Sequence, residues 1–124
     1  MNRSTFMIIA AIIALVFGVG FLLVPAQVMA MYGTTLDVPG MFIGRYFGSA
    51  LLGVGLLTWL ARKAQGDNEA LRAIILGNFI FTVAGTVVAV LDKFTGGGNA
   101  MVWSTVLIFF LLAIGFGYYQ FKKK

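Results

Sequence analysis

The chain has 124 residues, 60% of them apolar, with a mean hydropathy of +0.98. A soluble domain of this size cannot bury so much apolar surface, so the composition excludes an ordinary water-soluble fold and points to an all-α integral membrane protein. The formal charge is +5 and there is no cysteine and no histidine, which excludes disulfides, thiolate nucleophiles, zinc–thiolate sites, histidine-ligated haem and the usual proton shuttle near neutral pH.

Residues 6–24 hold no charged or strongly polar side chain. Nineteen residues of helix cover ~28 Å, about the thickness of the hydrocarbon layer. A first span over about 5–24 is expected, with Arg3 ahead of it and Ser4 as candidate N-cap. The rival reading is a signal peptide cut after Ala30. The apolar run is longer than a typical signal core, and residues 25–32 are poorly polar for a mature N-terminus, so a retained helix is expected.

Pro25 ends that helix, and Gly33 suits a left-handed turn. Between them, residues 26–32 suit a short interfacial helix, with Tyr32 at headgroup depth. Asp37-Val38-Pro39 reads as a helix start, with a capping carboxylate and a proline in the first turn. The second span is expected over about 39–63, the third over about 68–92 after a polar loop in which Asp67 is the candidate cap. Residues 96–98 are three glycines, read as a flexible turn because no strand precedes them and no Gly-Lys-Ser/Thr follows; Asn99 then caps a fourth span over about 99–121. Short connections make sequential helices antiparallel neighbours, so the expected fold is a single membrane domain over 1–124, an up-down-up-down four-helix bundle.

The basic residues set the orientation. Arg3, Arg62, Lys63, Arg72 and the lysines at 122, 123 and 124 fall at one end, and only Arg45 and Lys93 at the other. This bias puts both termini in the cytoplasm, argues against dual topology, and fits a bacterial inner membrane. The same clustering at span ends makes nucleic acid an unsuitable partner for the positive charge. Asp37, Asp67, Glu69 and Asp92 all lie at or beyond span ends, so no carboxylate serves a proton-driven carrier in mid-membrane.

Three constellations remain. Gly40, Gly44, Gly48 and Gly55 share one face of the second span, with Ser49 and Gly53 beside them, and Ala10, Ala14 and Gly18 repeat the spacing in the first. Small residues let membrane helices approach closely, so these faces suit packing within the bundle, or against a partner or a second copy. Asn78, Thr82 and Thr86 form a polar stripe on the third span. Threonines bond their own helix carbonyls cheaply, whereas an asparagine in lipid calls for another helix, water or a polar solute. Arg45 is the one charge well inside an apolar run, ~9 Å below the helix end. It can snorkel to lipid phosphate or Asp37, pair with Asp92, or meet an acceptor on a ligand or partner, with Thr86 and Ser104 at similar depth.

The pattern Pro25, Tyr32-Gly33, Pro39, Arg45-Tyr46-Phe47-Gly48 and Gly53-x-Gly55 resembles a group of small bacterial four-helix membrane proteins of unknown function. The resemblance covers nearly the whole chain and implies a four-helix bundle without implying an activity. Small multidrug exporters differ in carrying a glutamate in their first helix, where this chain has no acid, and fluoride channels are matched only faintly by residues 79–82.

No base or nucleophile accompanies Arg45, so no enzyme, cofactor or metal site is expected. The expected function is a non-catalytic accessory or interaction subunit, embedded in lipid and packed against other membrane helices or itself. The alternative is a binding or transport protein for an anion, a lipid headgroup or a quinone-like molecule in a pocket formed by Arg45, Thr86, Ser104 and Asp92.

Overall fold

A computed structural model describes residues 2–65, 68–96 and 99–122. Among them are four helices long and apolar enough to cross a membrane and one short helix. The first, α1, is Arg3–Leu23. Its N-cap is Asn2 and not Ser4: the extended backbone of Asn2 turns its Oδ1 back to accept from Thr5 N at 2.8 Å, while Ser4 is already inside the first turn. Val24 leaves helical geometry, and Pro25, whose missing N–H costs nothing at a helix start, opens α2, Pro25–Met31. Gly33, at φ +76°, turns the chain toward the next helix.

Helix α3 spans Val38–Ala61, with Asp37 Oδ1 accepting from Gly40 N at 2.8 Å. It stops short of Lys63 because Arg62 closes the last turn: its N–H bonds back to Trp59 O, its Nη1 donates to the same carbonyl, and its guanidinium lies 4.1 Å from the Trp59 ring centre. Helix α4 spans Glu69–Phe94, capped by Asn68 Oδ1 on Leu71 N; Asp67, expected as the cap, lies outside the described residues. Helix α5 spans Met101–Phe121. Asn99 Oδ1 accepts from Met101 N at 2.9 Å, one residue ahead of the formal cap. The glycines at 97 and 98 and the lysines at 123 and 124 lie outside the described residues.

The helices pack as two tight pairs. On α1 and α3, Leu15 meets Gly55, Gly18 meets Leu52, Leu22 meets Gly48 and Pro25 meets Gly44, so residue numbers fall on one helix as they rise on the other. Helices α4 and α5 form the second pair, with Phe109 against Gly85, Phe79 against Gly117, and the Phe79–Phe121 and Phe81–Phe109 rings edge to face. Small residues on one helix admit the backbone or aromatic side chains of the other.

The pairs meet more sparingly, along an α3/α4 seam and an α1/α5 seam. At the end near the N-terminus they are joined by a core of Met7, Ala10, Leu71, Ile75 and Phe116 and by Phe6 edge-on to Phe116, while the Arg3 guanidinium ties α1 to the Ala64 carbonyl in the connection after α3. At the opposite end, Tyr32 Oη and Thr105 Oγ1 are hydrogen-bonded at 2.7 Å, and Asn99 N donates to Tyr32 O. Between these two ends the pairs leave a space.

Candidate functional site

The space between the pairs is a cavity of about 340 Å³ to which α1, α3, α4, α5 and the α2 end all contribute. Along α4 its lining runs from Asn78 to Asp92, and along α5 from Val102 to Phe116. Fourteen residues of helix rise ~21 Å, so the cavity is a slot parallel to the bundle axis. Its walls are apolar, with Phe17 and Phe21 from α1, Phe47 and Leu51 from α3, and Phe81 and Phe109 from the opposite pair.

Polar groups are confined to its two ends. At one end stand Tyr32, Thr34, Asp92 and Thr105. The Tyr32 and Thr105 hydroxyls bond each other, and Thr34 Oγ1 donates to Met29 O. At the other end are Asn78 and Thr82, which are 8% and 2% exposed. Thr82 Oγ1 is occupied by carbonyls of its own helix, at 2.8 Å from Asn78 O. Asn78 Nδ2 donates across the α3/α4 seam to Thr58 Oγ1 at 3.0 Å and within its helix to Ile74 O at 3.0 Å. Thr58 can accept because its own proton goes to Val54 O. Both bonds require the amide nitrogen at this position, so the orientation of the Asn78 side chain is fixed and its Oδ1 is the remaining polar atom.

A second cleft, about 320 Å³, lies in the α3/α4 seam and is lined by Leu57, Ala73, Ile74 and Gly77. It shares Val54, Asn78 and Phe81 with the central cavity. Leu57, Ala73 and Gly77 are exposed, so this cleft opens on the outer surface of the bundle. Asn78 therefore stands between the slot and that surface.

The residues expected to form a pocket around Arg45 are distributed differently. Asp92 lines the mouth of the cavity; Arg45, Thr86 and Ser104 are not in its lining. Arg45 is on the exposed side of α3, beside Phe42, Ile43 and Tyr46, and has no hydrogen bond or ion pair among the described residues. Thr86 Oγ1 donates to Thr82 O, and Ser104 Oγ to Met101 O. Thr105 takes the place on α5 that Ser104 was expected to hold, since neighbouring helix positions point ~100° apart. Of the expected packing glycines, Gly44, Gly48 and Gly55 face α1 or the start of α2, while Gly40 faces its own cap, Asp37 and Leu36. No three carboxylate, histidine or cysteine side chains gather to hold a metal among the described residues.

The stripe spacing of Asn78 and Thr82 was the signal for the inner end of the slot. Thr58 and the pairing of Tyr32 with Thr105 gave none. Thr58 is a lone hydroxyl in an apolar run, and Tyr32 and Thr105 are 73 positions apart. Among known proteins, no family model, no curated protein and no solved structure matches this chain.

Proposed function

We propose that this chain is a non-catalytic integral membrane protein that binds one elongated apolar molecule, an acyl or isoprenoid chain, between its two helix pairs. The observation that carries this reading is the slot itself, ~21 Å long by helix rise, walled by aromatic and aliphatic side chains and polar only at its ends. Side chains lining such a space gain dispersion partners when an apolar chain fills it, and apolar cavities take apolar guests in preference to water. In this reading the four long helices cross a bacterial inner membrane in up-down-up-down order with both termini in the cytoplasm, supported by the skewed distribution of basic residues. The slot then lies along the lipid chains, and its guest comes from among them.

The test is purification from membranes in mild detergent, followed by mass measurement of the small molecules retained. Wild-type protein is expected to carry a stoichiometric apolar molecule. Ala14→Phe, which places a ring into the slot from a lining position, is expected to lose it. Equal retention by both proteins, or by neither, removes the reading.

A second reading, an interaction subunit, is favoured by Arg45. It lies seven residues inside α3 among exposed Phe42, Ile43 and Tyr46, at 53%, 68% and 76% exposure. A guanidinium at that depth calls for an acceptor, either lipid phosphate or a carboxylate on another protein. A stoichiometric protein that co-purifies with wild type and is lost with Arg45→Gln would support it; co-purification unaffected by the substitution would count against it.

A further inference from the structure

We propose that the molecule held in the slot carries a hydroxyl or other hydrogen-bond donor, which Asn78 Oδ1 accepts; this rests on the slot being a binding site. Asn78 is 8% exposed and nine residues inside α4, ~14 Å from the helix start. Its Nδ2 is committed to Thr58 and Ile74. Its Oδ1 has no hydrogen-bond partner among the described residues. Nor is it sealed away: among the described residues the fully enclosed unpaired side-chain atoms are Arg3 Nε and Gln120 Oε1, both near the other end of their helices from the slot's mouth. Asn78 lines both the slot and the seam cleft, so its side chain borders space that a guest can reach.

A buried acceptor without a partner is unfavourable, so a guest that brings a donor to it gains over one that does not. The direction of the bond is the informative part. Nδ2 holds both of its protons in use, and Thr58 and Thr82 have given theirs to backbone carbonyls. The inner end of the slot therefore offers an acceptor and no spare donor. It suits an alcohol, a protonated acid or a quinol, and offers nothing to an ester, an ether or a quinone carbonyl. A site that must leave its polar group unpaired discriminates more sharply than one that only adds a methylene contact. The guest lies with its donor against Asn78 and its chain between Phe81 and Phe109, rising toward Tyr32.

The experiment compares hexadecanol with hexadecyl methyl ether, which share a chain and differ in the donor, on the full chain in lipid nanodiscs. Radiolabelled hexadecanol is bound and each compound displaces it. Wild type is expected to prefer the alcohol by roughly tenfold, about one net hydrogen bond. Asn78→Leu is expected to bind both equally, through loss of affinity for the alcohol alone. Thr58→Val, which frees the amide to rotate and offer its N–H, is expected to narrow the preference. The ratio is read within one protein preparation, so it is insensitive to partial unfolding of a variant. If the alcohol and the ether bind wild type equally, the donor proposal is overturned and the slot reading stands. If hexadecanol does not bind and Ala14→Phe changes nothing, the slot reading fails and the donor proposal with it. A tenfold preference that survives in Asn78→Leu also overturns the proposal, since another group would then hold the hydroxyl.

Discussion

Gly48 approaches α1 so closely that a Cβ added to it would lie 2.5 Å from the backbone nitrogen of Leu22. The neighbouring atoms on the far side are also backbone, Gly18 O at 2.7 Å, so no side chain can swing aside. Gly48→Ala is therefore expected to push α1 and α3 apart and cost about 1–3 kcal/mol, with Gly48→Leu worse. Gly53, five residues on, meets nothing within 4 Å. Gly53→Ala is expected to be neutral or stabilising by up to about 1 kcal/mol through helix propensity. Thermal unfolding in a mild detergent separates the two, and equal melting of both variants would refute this account of the pair.

The Asn78–Thr58 bond is a polar tie across the α3/α4 seam. Thr58→Val keeps the shape of a side chain that is 1% exposed and removes the acceptor. Interhelical bonds of this kind average about 0.6 kcal/mol in membranes, with a maximum near 1.7. A double-mutant cycle of Thr58→Val with Asn78→Leu is expected to show a coupling of that size. A coupling of zero would mean that the amide finds another partner at no cost.

These two predictions show which parts of the structure were legible beforehand. The spans follow from apolar length, and their ends from local chemistry: Pro25, the left-handed turn at Gly33 and the Asp37 cap all act within a few residues. The face of α3 that carries Gly44, Gly48 and Gly55 was visible as spacing. The facing of Arg45 was not, because lipid is as apolar as a protein core and hydropathy does not separate the two sides of a membrane helix. The slot was equally hidden: its volume depends on how far apart two helix pairs stand, which no local pattern records.

The Tyr32–Thr105 hydroxyl pair bridges the two helix pairs at the mouth of the slot, away from the N-terminus. Tyr32→Phe keeps the ring and removes the tie, and is expected to cost about 0.5–1.5 kcal/mol in stability. A bound molecule is expected to leave faster from this variant, read as the dissociation rate of radiolabelled hexadecanol. An unchanged rate would place the exit elsewhere, with the α3/α4 seam as the alternative.

Arg45 lies outside the slot, so Arg45→Lys and Arg45→Gln are both expected to leave hexadecanol binding within twofold of wild type. Stability of the isolated bundle in detergent is expected to change by no more than about 0.5 kcal/mol, as for exposed positions generally. A large loss of hexadecanol binding in Arg45→Gln would show that the guanidinium reaches the guest after all.

Reporter fusions test the orientation. Fusions after Lys63 and after Lys122 are expected to report the cytoplasm, and one within residues 96–98 the opposite side. A fusion after Lys122 that reports the outside would reverse or break the proposed crossing pattern.

The two tight pairs are also contiguous halves of the chain, with α1 to α3 before residue 62 and α4 with α5 after residue 68. Each half can zip on its own soon after it leaves the ribosome, before the other exists, since its principal contacts are closed within about 60 residues. Assembly then reduces to one docking event between two preformed hairpins, made over the Phe6–Phe116 and Thr58–Asn78 contacts. Separately expressed halves, divided between residues 65 and 68, should then find each other in the same membrane.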